Sequence, residues 1–206
     1  TVHEFGPARL TPGALDGRFV LVQGGAGAVG HAAIQLAVWA GATVIATVSS
    51  AEKVTLARAA GAHHVLRYPD DGLADAIRDL APQGVDHIVE VAIAENAALD
   101  VEVVANHGSI GYYADNGGGT FTAAVRESFA KNVRWQGLLL YTVGEDALLA
   151  AAEDVSAAVA DGVLPVGESA GLPLTSFALD QTAAAHDAVE AGETGKVLIR
   201  VTDADG

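Results

Sequence analysis

Three glycines spaced Gly25-x-Gly27-x-x-Gly30 stand between the apolar run Phe19–Val22 and a stretch of helical spacing that begins near Val29. A chain that passes from strand to helix through so short a turn has little room for side chains, and glycine tolerates the close backbone approach. The same alternation recurs downstream. Apolar or β-branched runs predict strands over Phe19–Val22, Thr43–Val48, 64–66, 85–91, 108–112 and 134–141. Helical spacing fills the gaps at 29–39, 51–60, Leu73–Leu80, 96–104 and 122–131, with Gly41 and Gly61 as stops. Strand, helix, strand, repeated, predicts an α/β fold: a Rossmann-type, doubly wound parallel sheet of about six strands with helices on both faces. The strands "VLV", "TVIATV" and "HIVEV" are apolar on both sides, as strands buried on both faces must be. A longer helix over 147–160, a Pro and Gly loop, and a last helix and strand close the chain. The expected division is a lead-in segment 1–14, a dinucleotide-type domain 15–165 and a C-terminal segment 166–206.

The turn also decides what such a fold could hold. In the dinucleotide fingerprint the first glycine permits the turn, the second admits a pyrophosphate and the third lets helix and strand pack. The start of the helix, at Ala28 and Val29, would present free N–H groups to anionic oxygens. A phosphate loop of the ATPase kind would need Lys and then Ser or Thr after Gly30, where this chain has His31 and Ala32. About 20 residues past the glycines, where an NAD site carries an Asp or Glu for the ribose hydroxyls, the second strand runs into Ser49 and Ser50, with Lys53 one turn later. That arrangement suits a 2′-phosphate. It equally suits a capping box of Ser49 with Glu52 beside a solvated lysine, and both readings can hold together.

Charge narrows the class of partner. With 11 basic against 26 acidic residues in 206, the net charge of −15 repels nucleic acid and anionic membrane surfaces, so a small-molecule partner is expected. Absence of cysteine excludes disulfides and thiolate zinc sites and fits a reducing compartment. With no signal peptide and no apolar run of 18 residues, a cytoplasmic protein is expected. The chain lacks methionine and opens on Thr1, so it reads as part of a longer protein.

The stretch "VLVQGGAGAVGHAAIQLAVWAGATVIATVSSAEKVTLARAAGAHHVLRY" resembles the cofactor domain of the quinone oxidoreductase, or zeta-crystallin-like, branch of the medium-chain dehydrogenase/reductase superfamily. "GVDHIVEV", "KNVRWQGLLLY" and "AAAHDAVEAGETGKVLIRV" extend the likeness over most of the chain. The resemblance implies NADPH, with Lys53 and Tyr68 at positions that bind the 2′-phosphate and the backbone of Gly111 and Tyr112 at the nicotinamide carboxamide. Tyr68 has an alternative role as an aromatic covering the sheet edge. The loop at Ala92, "AIAEN" here, lacks the glycines that the family usually places beside the nicotinamide ribose. The resemblance further implies a preceding GroES-like catalytic domain, onto which the C-terminal segment would fold. It also implies a homodimer whose sheets join along Arg134 to Tyr141.

The implied activity is hydride transfer from NADPH to a quinone or activated alkene, without zinc and with no proton donor named. The seven histidines show no ligand spacing, and no Tyr-x-x-x-Lys pair of short-chain dehydrogenases occurs. Asn132 and the "ADNGGGT" loop could border the acceptor, or form only a mobile surface loop. Two alternatives stay open: a catalytically silent NADPH-binding or assembly module, and an alcohol dehydrogenase or enoyl-thioester reductase of the same superfamily.

Overall fold

A computed structural model describes residues 9–68 and 70–202. Expectations for residues 1–8 of the lead-in segment and 203–206 of the tail therefore lie outside the described residues. Strands and helices alternate as β1 (Phe19–Val22), α1 (Ala28–Trp39), β2 (Thr43–Val48), α2 (Ala51–Ala59), β3 (His64–Arg67), α3 (Leu73–Leu80), β4 (Val85–Glu90), α4 (Ile93–Val103), β5 (Val104–Tyr112), α5 (Val125–Ala130) and β6 (Arg134–Gly137). The helix α6 (Glu145–Ala160) follows, and then β7 (Leu174–Ala178), α7 (Thr182–Glu190) and β8 (Lys196–Arg200). The first six strands form one parallel sheet in the order β3-β2-β1-β4-β5-β6. The expected Rossmann-type fold is the observed one. Direction reverses between β1 and β4, and in open sheets of this kind ligands bind in the crevice beyond the strand ends at that point.

Period-two alternation explains why both faces are dry. Val20, Val22, Val44, Ala46 and Val48 pack with Ile34 and Ala37 of α1 and Ala57 of α2. Their neighbours Leu21, Ile45, Ile88 and Ile110 point the other way, against Ile77 of α3 and Ile93, Ala97 and Val103 of α4. Each fully buried Ile or Leu side chain contributes roughly 1.5 to 3 kcal/mol, so the two clusters fix the sheet between its helix layers.

Some boundaries differ from expectation for local reasons. β6 ends at Gly137 because its partner β5 ends at Tyr112, the last paired register, and the apolar residues beyond turn into a 3-10 helix at Leu140–Thr142. Composition alone made that run look like strand. α4 starts at Ile93 because the Glu90 carboxylate accepts the Ala92 N–H and the Asn96 side-chain amide, which supports the chain at the helix entrance. The cap of α2 is Ser50, whose Oγ accepts the Lys53 N–H at 3.4 Å, and not Ser49. Glu52 and Arg58 then lie in the first and last turns, as the helix dipole favours.

Residues after Gly162 are held on the sheet's helix layer. His31, only 1% exposed, donates from Nε2 to the Ala170 carbonyl at 2.6 Å, and Gln35 donates to the Pro165 carbonyl at 3.0 Å. Gly171 lies so close to the Leu56 carbonyl that a Cβ there would collide with it. β7 and β8 pair in parallel with each other, in a sheet of two strands among the described residues.

Candidate functional site

The turn after β1 is built differently from the simple glycine assignment. Gly24, not Gly25, takes the left-handed conformation, with φ at +70°. Gly25 is needed for packing, since a Cβ there would stand 2.9 Å from the Ala46 Cβ and 3.1 Å from the Ile34 Cδ1. A Cβ at Gly30 would collide with the Gly24 carbonyl oxygen, so the third glycine brings helix onto turn as expected. Gly27 alone of the three is exposed, and a Cβ there would find no atom nearer than 3.5 Å. A side chain there would point into largely open space.

Gly27 is also the N-cap of α1, with no side chain capping the helix and no acidic residue in its first turn. The opening amides of a helix lack intrahelical acceptors, so those of Ala28, Val29 and Gly30 leave the positive end of the dipole uncompensated. Backbone bonds hold this end over the sheet: Gln23 N–H to the Val89 carbonyl, Gly25 N–H to the Thr47 carbonyl and Gly27 N–H to the Gly24 carbonyl, each at 3.0 Å.

At the end of β2, Ser49, Ser50 and Lys53 are half-buried around the start of α2. Lys53 makes no ion pair with a described residue, whereas the Arg67 guanidinium takes both oxygens of Asp70. That doubled hydrogen bond raises the Arg67 pKa and commits the charge locally. Tyr68 follows β3 and is 53% exposed. Lys53 is thus the cation left for a ligand phosphate among these residues.

On the other side of the switch point, Ala92 follows β4, and Gly111 and Tyr112 end β5. Gly111 is buried in the ladder between Val89 and Gln136. The Tyr112 carbonyl accepts the Leu138 N–H at 2.9 Å, and its ring packs edge-on against Phe121 at 5.6 Å. The expected backbone contacts of these two are therefore largely engaged within the protein. Just beyond, a groove of about 460 Å³ is lined by Tyr112, Tyr113, Asp115, Leu138 and Thr142. Burial, with the nearby Glu90, pushes the Tyr113 phenol up to about 12.

The crevice therefore joins an uncapped helix N-terminus, a lysine beyond β2 and a groove beyond β5. The zinc-binding dehydrogenase family model matches residues 28–157. The chain belongs to the zinc-binding dehydrogenase family. It is 27% identical over 186 residues to human quinone oxidoreductase, an alignment covering 89% of this chain and 54% of that protein. Among solved structures, an NAD-dependent alcohol dehydrogenase superposes with a TM-score of 0.79 at 26% identity, covering 98% of this chain and 54% of the other. A mycobacterial protein solved in complex with NADPH superposes with a TM-score of 0.76 at 30% identity, covering 90% and 57%. The chain thus spans about half the length of these relatives.

Among the described residues the zinc of the family's name finds no donor set. The sequence has no cysteine, and among the described residues no group of three His, Asp or Glu side chains could hold a metal ion. No helix among the described residues is long and apolar enough to cross a membrane.

Two parts of the crevice escaped the sequence reading. Gly195, at φ +93°, forms a parallel bridge with Gly27, which brings the start of β8 and Lys196 beside the exposed face of the turn. The glycine and lysine of "ETGK" carried the signal, but nothing in the sequence says which strand end they meet. Behind the crevice, Gln23, Thr47, Glu90 and Asp100 form a buried polar cluster. Carboxylates in the otherwise apolar "HIVEV" and "AALDVEV" were the available hint.

Proposed function

We propose that this member of the zinc-binding dehydrogenase family is the cofactor-binding part of an NADPH-dependent oxidoreductase that reduces a quinone or activated alkene, working in the cytoplasm. When bound, the nicotinamide supplies the hydride. Amides of Ala28, Val29 and Gly30 with the open face of Gly27 would hold the pyrophosphate, and Lys196 would stand beside it. Ser49, Ser50 and Lys53, with Tyr68 at the rim, would hold the adenosine 2′-phosphate. Ala92 would border the nicotinamide ribose, and Gly111, Tyr112 and the groove beyond them the nicotinamide. A hydride leaves for an acceptor held at near-attack distance, and the groove along Tyr112 and Tyr113 is where this chain contributes a wall. Assembly as a homodimer along the β6 edge belongs to the same proposal, supported by the exposed Leu139, Leu140 and Tyr141 just beyond that strand.

One observation carries the cofactor choice. No carboxylate stands at the end of β2, and Lys53 there is free of ion pairs with described residues while Arg67 is committed to Asp70. A charge-assisted hydrogen bond contributes roughly 1.5 to 3 kcal/mol, and about 1.4 kcal/mol is a factor of ten. Lys53→Ala should therefore weaken NADPH about 10-fold to 100-fold and leave NADH nearly unchanged. Titration of both proteins with both cofactors, followed by nicotinamide fluorescence, tests this. Equal binding of the two cofactors by the unmodified protein would instead favour the alcohol dehydrogenase reading, which the likeness to an NAD-dependent alcohol dehydrogenase supports.

A further inference from the structure

Behind the crevice a chain of side chains crosses four elements with no access to water. Thr47, at the end of β2, donates its hydroxyl to the Gln23 carbonyl oxygen in the turn after β1. Gln23 in turn donates from Nε2 to Asp100 Oδ1 on α4 at 3.3 Å. Asp100 adjoins the carboxyl of Glu90, the last residue of β4, and both are fully buried. Glu90 faces the other way as well, accepting the N–H of Ala92 and, at 3.2 Å, the side-chain amide of Asn96.

This arrangement leaves one atom unexplained. Asp100 Oδ2 is buried with no hydrogen-bond partner, although it belongs to a side chain pressed against a second carboxyl. Two carboxylates side by side in a dry site cannot both be ionised, because each adds its repulsion to the other's loss of hydration. A proton resolves both problems at once, since it removes one charge and turns an acceptor without a donor into a donor.

We infer that Asp100 is a positioning residue for the dinucleotide site: as the neutral acid it hydrogen-bonds Glu90, and Glu90 thereby holds the Ala92 amide at the nicotinamide-ribose end of the crevice. The inference rests on the cofactor reading above for what the Ala92 loop meets, and on the buried cluster alone for the proton. Geometry ties the two ends of the site together through it. Gln23 directly precedes the Gly24 turn, and Ala92 follows β4, so one buried acid joins the pyrophosphate side to the ribose side.

Burial, then the neighbouring Glu90, raises the Asp100 pKa well above the ordinary aspartate value, which agrees with the neutral form. The titratable group facing it is Glu90 on β4, which the Tyr113 phenol beyond β5 also faces, while the turn after β1 contributes the neutral Gln23 and β2 the neutral Thr47. An acid whose pKa is raised by folding stabilises the fold most below its unfolded pKa. That contribution is lost as pH rises through the raised value. On ionisation of Asp100, Glu90 would be repelled and its hold on Ala92 weakened.

The test uses the whole chain with three readouts. At about pH 6.5, where ordinary carboxyls are already ionised, the infrared spectrum should contain the carbonyl stretch of a protonated carboxylic acid, and Asp100→Asn should remove it. Absence of that band in the unmodified protein overturns the inference. Glu90→Gln, which keeps an oxygen for the Ala92 N–H but loses the charge that strengthens the bond, should weaken NADPH by about tenfold, equivalent to about 1.4 kcal/mol, and shift the Ala92 amide resonance. Unchanged affinity and an unmoved amide overturn the positioning role. NADPH affinity should fall at alkaline pH in the unmodified protein and stay level in Asp100→Asn, a difference that a merely structural aspartate would not produce; identical profiles overturn the inference. If no dinucleotide binds at any pH, the proposed function falls, while the infrared band still judges the acid pair.

Discussion

Lys131→Met should destabilise the fold far more than an exposed lysine normally would. Lys131 follows α5, and its ammonium donates to the carbonyls of Val101, Glu102 and Val104 at 2.8, 3.0 and 2.9 Å. Those carbonyls end α4, where a helix has no acceptor-satisfying amides of its own. Methionine keeps the apolar stem and deletes only the charged head. The Glu102 carbonyl is exposed and can be rehydrated, so the loss falls on the two part-buried bonds. Charge-assisted bonds contribute roughly 1.5 to 3 kcal/mol each in dry surroundings, and solvent reaching this ammonium argues for less than the lower end. Adding about 0.3 to 1 kcal/mol for a cation at a helix C-terminus gives an expected loss of about 2 to 4 kcal/mol. Urea unfolding followed by far-ultraviolet circular dichroism measures it, with the slope expected to stay constant. Burial, then Arg78, lowers the Lys131 pKa from its ordinary 10.5 against the pull of Glu102. The unfolded chain then holds the proton more tightly, so stability from this group rises as pH climbs toward that value. The gap between the two proteins should widen there. A loss below about 0.5 kcal/mol, the range of ordinary surface changes, would refute the reasoning.

Gly30→Ala should prevent α1 from seating on the turn, because the new methyl meets the Gly24 carbonyl; loss of cooperative unfolding or of all dinucleotide binding would be seen, and wild-type behaviour in both would contradict the packing assignment. His31→Ala removes the buried bond to Ala170, so residues around 165–172 should exchange amide hydrogens faster while β1 and β2 stay protected; uniform protection throughout would show that the segment is held by other contacts. In a spectrophotometric titration of the four tyrosines, one phenol, Tyr113, should ionise near 12, and Tyr113→Phe should delete that late step.

How far the fold could be read in advance follows from which forces act locally. β1, β2 and α3 were legible to the residue because period and punctuation agree: apolar strands buried on both faces, then Gly or Ser at the helix entrances. β6 was misjudged because "LLLY" has strand composition, yet strand depends on a partner, and β5 stops at Tyr112. The Gly25 to Gly30 motif marked the tight turn between β1 and α1, and that turn is where it was expected. The motif could not show that Gly24 carries the left-handed turn, since that depends on how Ala46 and Ile34 crowd Gly25. Lys53 was singled out by its place one turn past Ser49 and Ser50, whereas the pairing that commits Arg67 to Asp70 depends on the turn after β3. The bridge from Gly195 to Gly27 joins residues far apart in the chain, and no local spacing encodes such a meeting.

On the function proposed, the crevice between β1 and β4 receives a nicotinamide dinucleotide with its pyrophosphate on the α1 N-terminus. The most direct measurement is a titration of isotope-labelled protein with NADPH, following backbone amide resonances. Saturable shifts should be largest at Gly27, Ala28, Val29 and Gly30, with a second group at Ser50 to Lys53 that is absent when NADH replaces NADPH. Shifts scattered over the surface without saturation, or confined to residues away from this turn, would contradict the account.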